Sequence, residues 1–192
     1  MKIFTTLVSS ALLLTTLYAK ESQPYKSSLL GINIGVSNIK SETTTSSSFS
    51  SQDNLVGLMG IKIGAQTKEY RLFFNLNQYS DTSDFYDYLI TYGISGQYLL
   101  HLSPSVDFFL GLEGGMASAD YKLENENFSR SLSDFYLGTN IGLNIPVNED
   151  FDIELGGKVL VLNTDDTQNN TTFTHKRIST MLVSIIYKYQ MD

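Results

Sequence analysis

Few side chains in this sequence are of a type that does chemistry. There is no cysteine and there are only two histidines. In His101-Leu102-Ser103 an imidazole sits close to a hydroxyl, a base and nucleophile pair by residue type. His175 lies near Asp165, Asp166 and Arg177. An imidazole among carboxylates could pass a proton, but no defined nucleophile accompanies this one. Asp165 and Asp166 with Asn169 and Asn170 offer oxygen atoms to a divalent cation, although acidic loops are usually just solvated. Asn127-Phe128-Ser129 and Asn170-Thr171-Thr172 match an acceptor pattern that says little by itself. The remaining group is different in kind. Lys62, Arg71, Glu113, Glu154 and Lys158 stand singly inside apolar stretches. Charges there survive only if paired, because an uncompensated charge in a packed interior costs several kcal/mol. These five are expected to form a structural cluster, with no catalytic, cofactor or metal site.

What must position them is a series of strands. From Tyr86 to Leu100, one alternating face carries Tyr86, Tyr88, Ile90, Tyr92, Ile94, Gly96, Tyr98 and Leu100; the other carries Asp87, Leu89, Thr91, Gly93, Ser95, Gln97 and Leu99. Strict period-two alternation of this kind is a strand with two unlike faces. Ten steps of ~3.3 Å from Tyr88 to Tyr98, tilted by ~40°, rise roughly 25 Å. Seven further strands follow the same rule. They begin near Ser28 (to Ile39), Leu55 (to Gln66), Tyr70, Val106, Phe135 and Phe151, and the last places Met181, Val183, Ile185, Tyr187 and Tyr189 on one face. The connections alternate long and short. Ser41–Ser48, Asp81–Asp84, Asp120–Ser133 and Asn163–Thr172 read as long polar loops; Thr67–Glu69, His101–Ser105 and Asn148–Asp150 read as tight turns.

Composition bounds the rest. The chain is acidic, with a formal net charge of −7, and has no basic run, which argues against nucleic acid as a partner. Lys2, the apolar run from Leu7 to Leu14 and Leu17-Tyr18-Ala19 read as a secretory signal, too short for a spanning helix. Cleavage after Ala19 leaves residues 20–192 as one domain. No linker divides them.

An eight-stranded antiparallel barrel can be a soluble carrier, apolar inside, or a membrane barrel, apolar outside. The apolar faces hold no Asp, Glu, Lys or Arg, while the opposite faces hold all five cluster residues and Gly31, Gly35, Gly60, Gly64, Gly93, Gly111, Gly115, Gly138, Gly142 and Gly156. Glycine suits the crowded inside of a narrow barrel. The expected fold is therefore all-β: an eight-stranded up-and-down transmembrane barrel with both termini periplasmic. Eight strands leave an interior that side chains can fill. Counting up from the short turns puts Glu113 and Lys158 at one height, facing inward, with one strand between them, so the two are expected to pair across the lumen.

The signal, the eight amphipathic strands, the alternating connections and Tyr187-Lys188-Tyr189 resemble the small outer-membrane β-barrel family of the OmpA/OmpX type. The resemblance implies a Gram-negative outer membrane, contact with its lipid and lipopolysaccharide, and recognition by the barrel-assembly machinery through the C-terminal strand, which here runs on by Gln190-Met191-Asp192. It implies a monomeric, non-enzymatic protein acting in membrane integrity, adhesion or surface protection. Some small barrels modify lipid A, and a rim site near His175 is the alternative. His101-Leu102-Ser103 resembles the His-x-Ser pair of barrel deacylases, but it falls in a turn on the side away from lipid A.

Overall fold

The computed structural model describes residues 27–45, 48–80, 86–122, 129–168 and 171–189. The signal segment, the loop 81–84, Asn127-Phe128, Asn169-Asn170 and the last three residues lie outside that description. Eight strands follow in order: β1 (Ser27–Thr45), β2 (Ser48–Gln66), β3 (Tyr70–Ser80), β4 (Tyr86–Ser103), β5 (Val106–Lys122), β6 (Ser129–Pro146), β7 (Phe151–Gln168) and β8 (Thr171–Tyr189). Each pairs antiparallel with the next, and β8 returns to β1 to close the barrel. Closure runs from Ser28 opposite Tyr189 up to Thr45 opposite Thr171, so the two chain ends leave the barrel at the same end.

The faces are those read from the alternation. Ile32, Met59, Leu72, Ile94, Leu112, Ile141, Val161 and Met181 are exposed on the outside. No Asp, Glu, Lys or Arg interrupts that belt among the described residues. A soluble carrier would have this surface inside, so the arrangement rules it out. Aromatic rings crowd the lower edge of the belt, near the short turns. Tyr70 meets Tyr98 with ring centroids 5.3 Å apart, and Tyr187 meets Phe151 at 5.1 Å.

The long loops are a correction. Ser41–Thr45, Ser48–Asn54, Asp120–Lys122, Ser129–Ser133 and Asn163–Gln168 are strand, not loop. These stretches are mostly Ser, Thr, Asn and charged residues, so hydrophobic alternation disappears from the sequence while the hydrogen-bonded ladder continues. Ser and Thr satisfy that ladder well, and Thr favours it. The ladder does not continue everywhere. Among the described residues the β2–β3 ladder ends at Gly57–Ser80 and the β6–β7 ladder at Tyr136–Leu162. The extended rim is thus two fins, β7-β8-β1-β2 and β4-β5-β6, each internally paired.

The interior is layered. Near the short turns Leu29, Phe73 and Ile186 form a small apolar floor. Toward the rim Ile39, Val56, Leu58, Tyr136, Leu160 and Ile178 form a larger apolar plug. Between them lies a polar middle. Glycine makes room where bulk crosses the lumen: the Phe109 ring lies over Gly142 and Gly156, where an added Cβ would come within 2.6 and 3.0 Å of its Cζ.

Candidate functional site

The polar middle holds all five charges singled out from the sequence. Lys62 on β2 reaches across the lumen to Glu154 on β7, Nζ to Oε1 2.9 Å, and also donates to Ser184 Oγ at 3.2 Å. Its stem passes over Gly31, where a Cβ would sit 2.8 Å from Lys62 Cγ. Its ammonium lies 4.9 Å from the centre of the Phe73 ring, within cation–π range. Arg71, one residue into β3, donates from Nη2 to Asp152 at 2.9 Å, from Nη1 to Glu154 at 3.5 Å and from Nε to Gln66 at 2.7 Å. Arg71 as a whole is only 2 % exposed. Its planar fork is what lets one cation serve two carboxylates and an amide.

A second group sits higher. Lys158 Nζ is 3.6 Å from Glu113 Oε1, and Tyr136 donates its hydroxyl proton to the same carboxylate at 3.0 Å. Glu113 stands opposite Gly138 and Lys158 opposite Asn140, so β6 presents small residues beneath the crossing. Between the groups run neutral links: Gln97 to Asn140 at 3.2 Å, Asn75 to Ser95 at 2.9 Å, and Ser184 to Asn33 at 2.8 Å. A cavity of about 30 Å³ remains, lined by Lys62, Gln97, Glu113, Asn140, Glu154 and Lys158. That is room for a water molecule, not for a substrate.

Two members of the network were not in the expected cluster. Asp152 receives Arg71, Lys188 Nζ at 2.7 Å and Asn144 at 3.2 Å, which makes it the hub of the lower group. Lys188 also reaches the Asn148 carbonyl at 3.4 Å. Both lie on the inward face by alternation, beside the Asn148–Asp150 turn. The alternation that marks the other five marks these two as well.

The histidines are placed apart. His101 lies on β4, which runs on to Ser103, and its partner is not Ser103. Nδ1 is 2.6 Å from Asp107 Oδ1 and Nε2 is 3.1 Å from the Lys68 carbonyl, so the ring clips two short turns together. Ser103 Oγ instead accepts from the backbone of Ser105 at 3.3 Å. His175 stands in the ladder opposite Ser41 and Thr164, with Asp165 opposite Thr174 and Asp166 opposite Phe173. Arg177 is two residues further down β8, facing outward.

No family model and no curated protein sequence matches the chain. Solved structures do. Neisserial surface protein A superposes with a TM-score of 0.63 at 15 % identity, covering 83 % of this chain and 97 % of that one. Outer membrane protein H of Pseudomonas aeruginosa matches at 18 % identity and a TM-score of 0.49, over 85 % of this chain and 99 % of that one. The attachment invasion locus protein of Yersinia pestis matches at 14 % identity and 0.47, over 84 % and 98 %. The first of these establishes the fold as that of the small eight-stranded transmembrane β-barrels, the architecture that the sequence resembles.

Proposed function

We propose that the chain is a non-enzymatic barrel of a Gram-negative outer membrane with a structural or surface-interaction role. The observation that carries this is the lumen. Each of its described charges, Lys62, Arg71, Glu113, Asp152, Glu154, Lys158 and Lys188, has an opposite charge within 4.0 Å, and apolar side chains close the interior above and below. Such an interior is a cross-brace; the space left in it holds a water molecule and no substrate. The uncharged belt sits in lipid, both termini face the periplasm, and the two fins stand outside in the lipopolysaccharide layer. Assembly runs through β8, whose pairing with β1 completes the wall, and the finished barrel is a monomer. Membrane integrity, adhesion and surface protection all fit a rigid stave of this kind.

The test has two arms. In cells, a membrane-impermeant amine reagent should label Lys176 on the fin and leave Lys68 in the short turn unlabelled. In planar bilayers the refolded protein should give no stable conductance above background. Labelling of Lys68 alone would invert the barrel, and steady single-channel steps would replace the brace by a pore.

A further inference from the structure

On the outer wall, just above the apolar belt, β8 breaks step. Arg177 stands opposite Lys40 and His175 opposite Ser41, leaving Lys176 as an extra residue between them. A bulge re-aims side chains. Here it turns two consecutive cations, Lys176 and Arg177, to the outside, where both are exposed beside Lys40. Among the side chains described, the acids nearby do not match them. Lys176 and Lys40 share the one carboxylate of Glu42, at 3.0 and 3.8 Å. Asp53, exposed opposite Lys40 on β2, is the second acid. Arg177 has no carboxylate within ion-pair distance among the described residues.

Directly below comes a polar row, Asn38 opposite Ser179, and below that an apolar ridge, Val36 opposite Met181. Glycine flanks the ridge on both sides: Gly57 opposite Val36 and Gly157 opposite Met181. Both point outward into open space. A Cβ on Gly57 would meet nothing within 4 Å, and one on Gly157 only the Thr180 carbonyl at 3.6 Å. On the Gly157 side the wall is scooped into a groove of about 510 Å³ between Ile34, Val36, Leu155, Met181 and Val183. From Arg177 to Met181 is four residues, ~13 Å along the strand.

We propose that the β1–β8 seam is a binding site for a phosphorylated, multiply acylated glycolipid of the outer leaflet. Lys40, Lys176 and Arg177 take its phosphates, Asn38 and Ser179 face its sugar hydroxyls, and the troughs at Gly157 and Gly57 take acyl chains. Three cations spread over two strands suit more than one phosphate, and troughs on either side of a ridge suit more than one chain. The site rests on the outer-membrane reading and gives it a residue-level partner.

Native mass spectrometry of the refolded barrel in detergent tests it, with bisphosphorylated lipid A as probe and dephosphorylated lipid A and phosphatidylglycerol as controls. Heat-modifiable migration first establishes that each variant is folded. Replacing Lys40, Lys176 and Arg177 together by Gln should weaken lipid A binding roughly a hundredfold, about fivefold for each cation. Gly157→Leu should weaken it through the acyl groove alone, and dephosphorylated lipid A should bind the wild type no better than lipid A binds the triple variant. Glu42→Gln frees both lysines and should tighten lipid A binding several-fold, a gain that a misfolded protein does not show. Equal retention of lipid A by wild type and triple variant overturns the proposal, as does equal binding of phosphatidylglycerol. Binding in detergent is independent of where the protein sits in a cell, so a barrel that binds as described yet is absent from the cell surface refutes the location and leaves the site standing.

Discussion

Glu154→Ala should cost far more than Lys62→Ala, although the two residues form one ion pair. Glu154 takes Lys62 at 2.9 Å and Arg71 at 3.5 Å, and both ends of the first pair are buried. Removing the carboxylate leaves Lys62 with a neutral hydroxyl, Ser184, as its only close acceptor. An uncompensated buried ammonium costs ~3–5 kcal/mol. Removing Lys62 instead leaves Glu154 held by Arg71, so the loss is nearer that of a hydrogen bond to a charged group, ~2 kcal/mol. The double change removes both charges together and should cost ~3 kcal/mol, well short of the sum, which gives a coupling of ~2–4 kcal/mol. The chain has no tryptophan, so unfolding in urea is best followed in lipid vesicles by far-ultraviolet circular dichroism and by the heat-modifiable gel band. Additive losses, or a Lys62→Ala loss as large as that of Glu154→Ala, would refute the pairing logic.

The upper group should show the same coupling: Glu113→Ala and Lys158→Ala each destabilise more than their share of the double variant, by ~2 kcal/mol of coupling in a cycle measured by urea titration. Ile141→Arg, on the outer belt, should cost ~2–4 kcal/mol of folding stability in bilayers if it lies near the midplane, whereas Arg at exposed Ser105 in a turn should cost little; equal costs would reverse the faces. Deleting 187–192 removes the partners of Leu30 and Ser28 and leaves the lower seam open in lipid. Protease-resistant barrel should then vanish from membranes, and its persistence at normal level would count against closure through β8. Lipid A from cells with and without the protein should carry the same acyl chains by mass spectrometry; a changed acyl pattern would favour the enzyme alternative.

Most of the architecture was legible because lipid imposes a rule that sequence cannot hide. Each crossing strand must alternate, so Leu30 to Val36 or Phe151 to Val161 announce their faces one residue at a time. Strand ends were not legible. At Lys40 the belt stops, and the continued pairing of Thr43 with Ser50 and Phe173 leaves no periodic trace. Inward charges were readable by parity, and strand counting put Glu113 and Lys158 at one height. That height made them a pair, and they meet at 3.6 Å; the partners of Lys62, Arg71 and Lys188 were not readable in this way. Lys62 passes over Gly31 to β7, and Asp152 becomes a hub, through three-dimensional crossings that no spacing records. The cations of the seam escaped because a bulge shifts parity, and a shifted parity looks like the end of a strand.

The split rim separates the molecule into parts that breathe on different clocks. Below Gly57–Ser80 and Tyr136–Leu162 every strand has two neighbours, and lipid forbids any of them to let go. Above those pairs the described residues of β2 and β7 on one fin, and of β4 and β6 on the other, form margins that have a ladder partner on one side only. Amide protons on those margins should exchange with solvent while those of the belt stay protected, and the fins should loosen as two cooperative units rather than one. A fin can therefore bend toward a neighbour in the membrane, or change sequence over generations, without passing strain to the braced lumen. Rigidity and adaptability are divided here by height along a single wall.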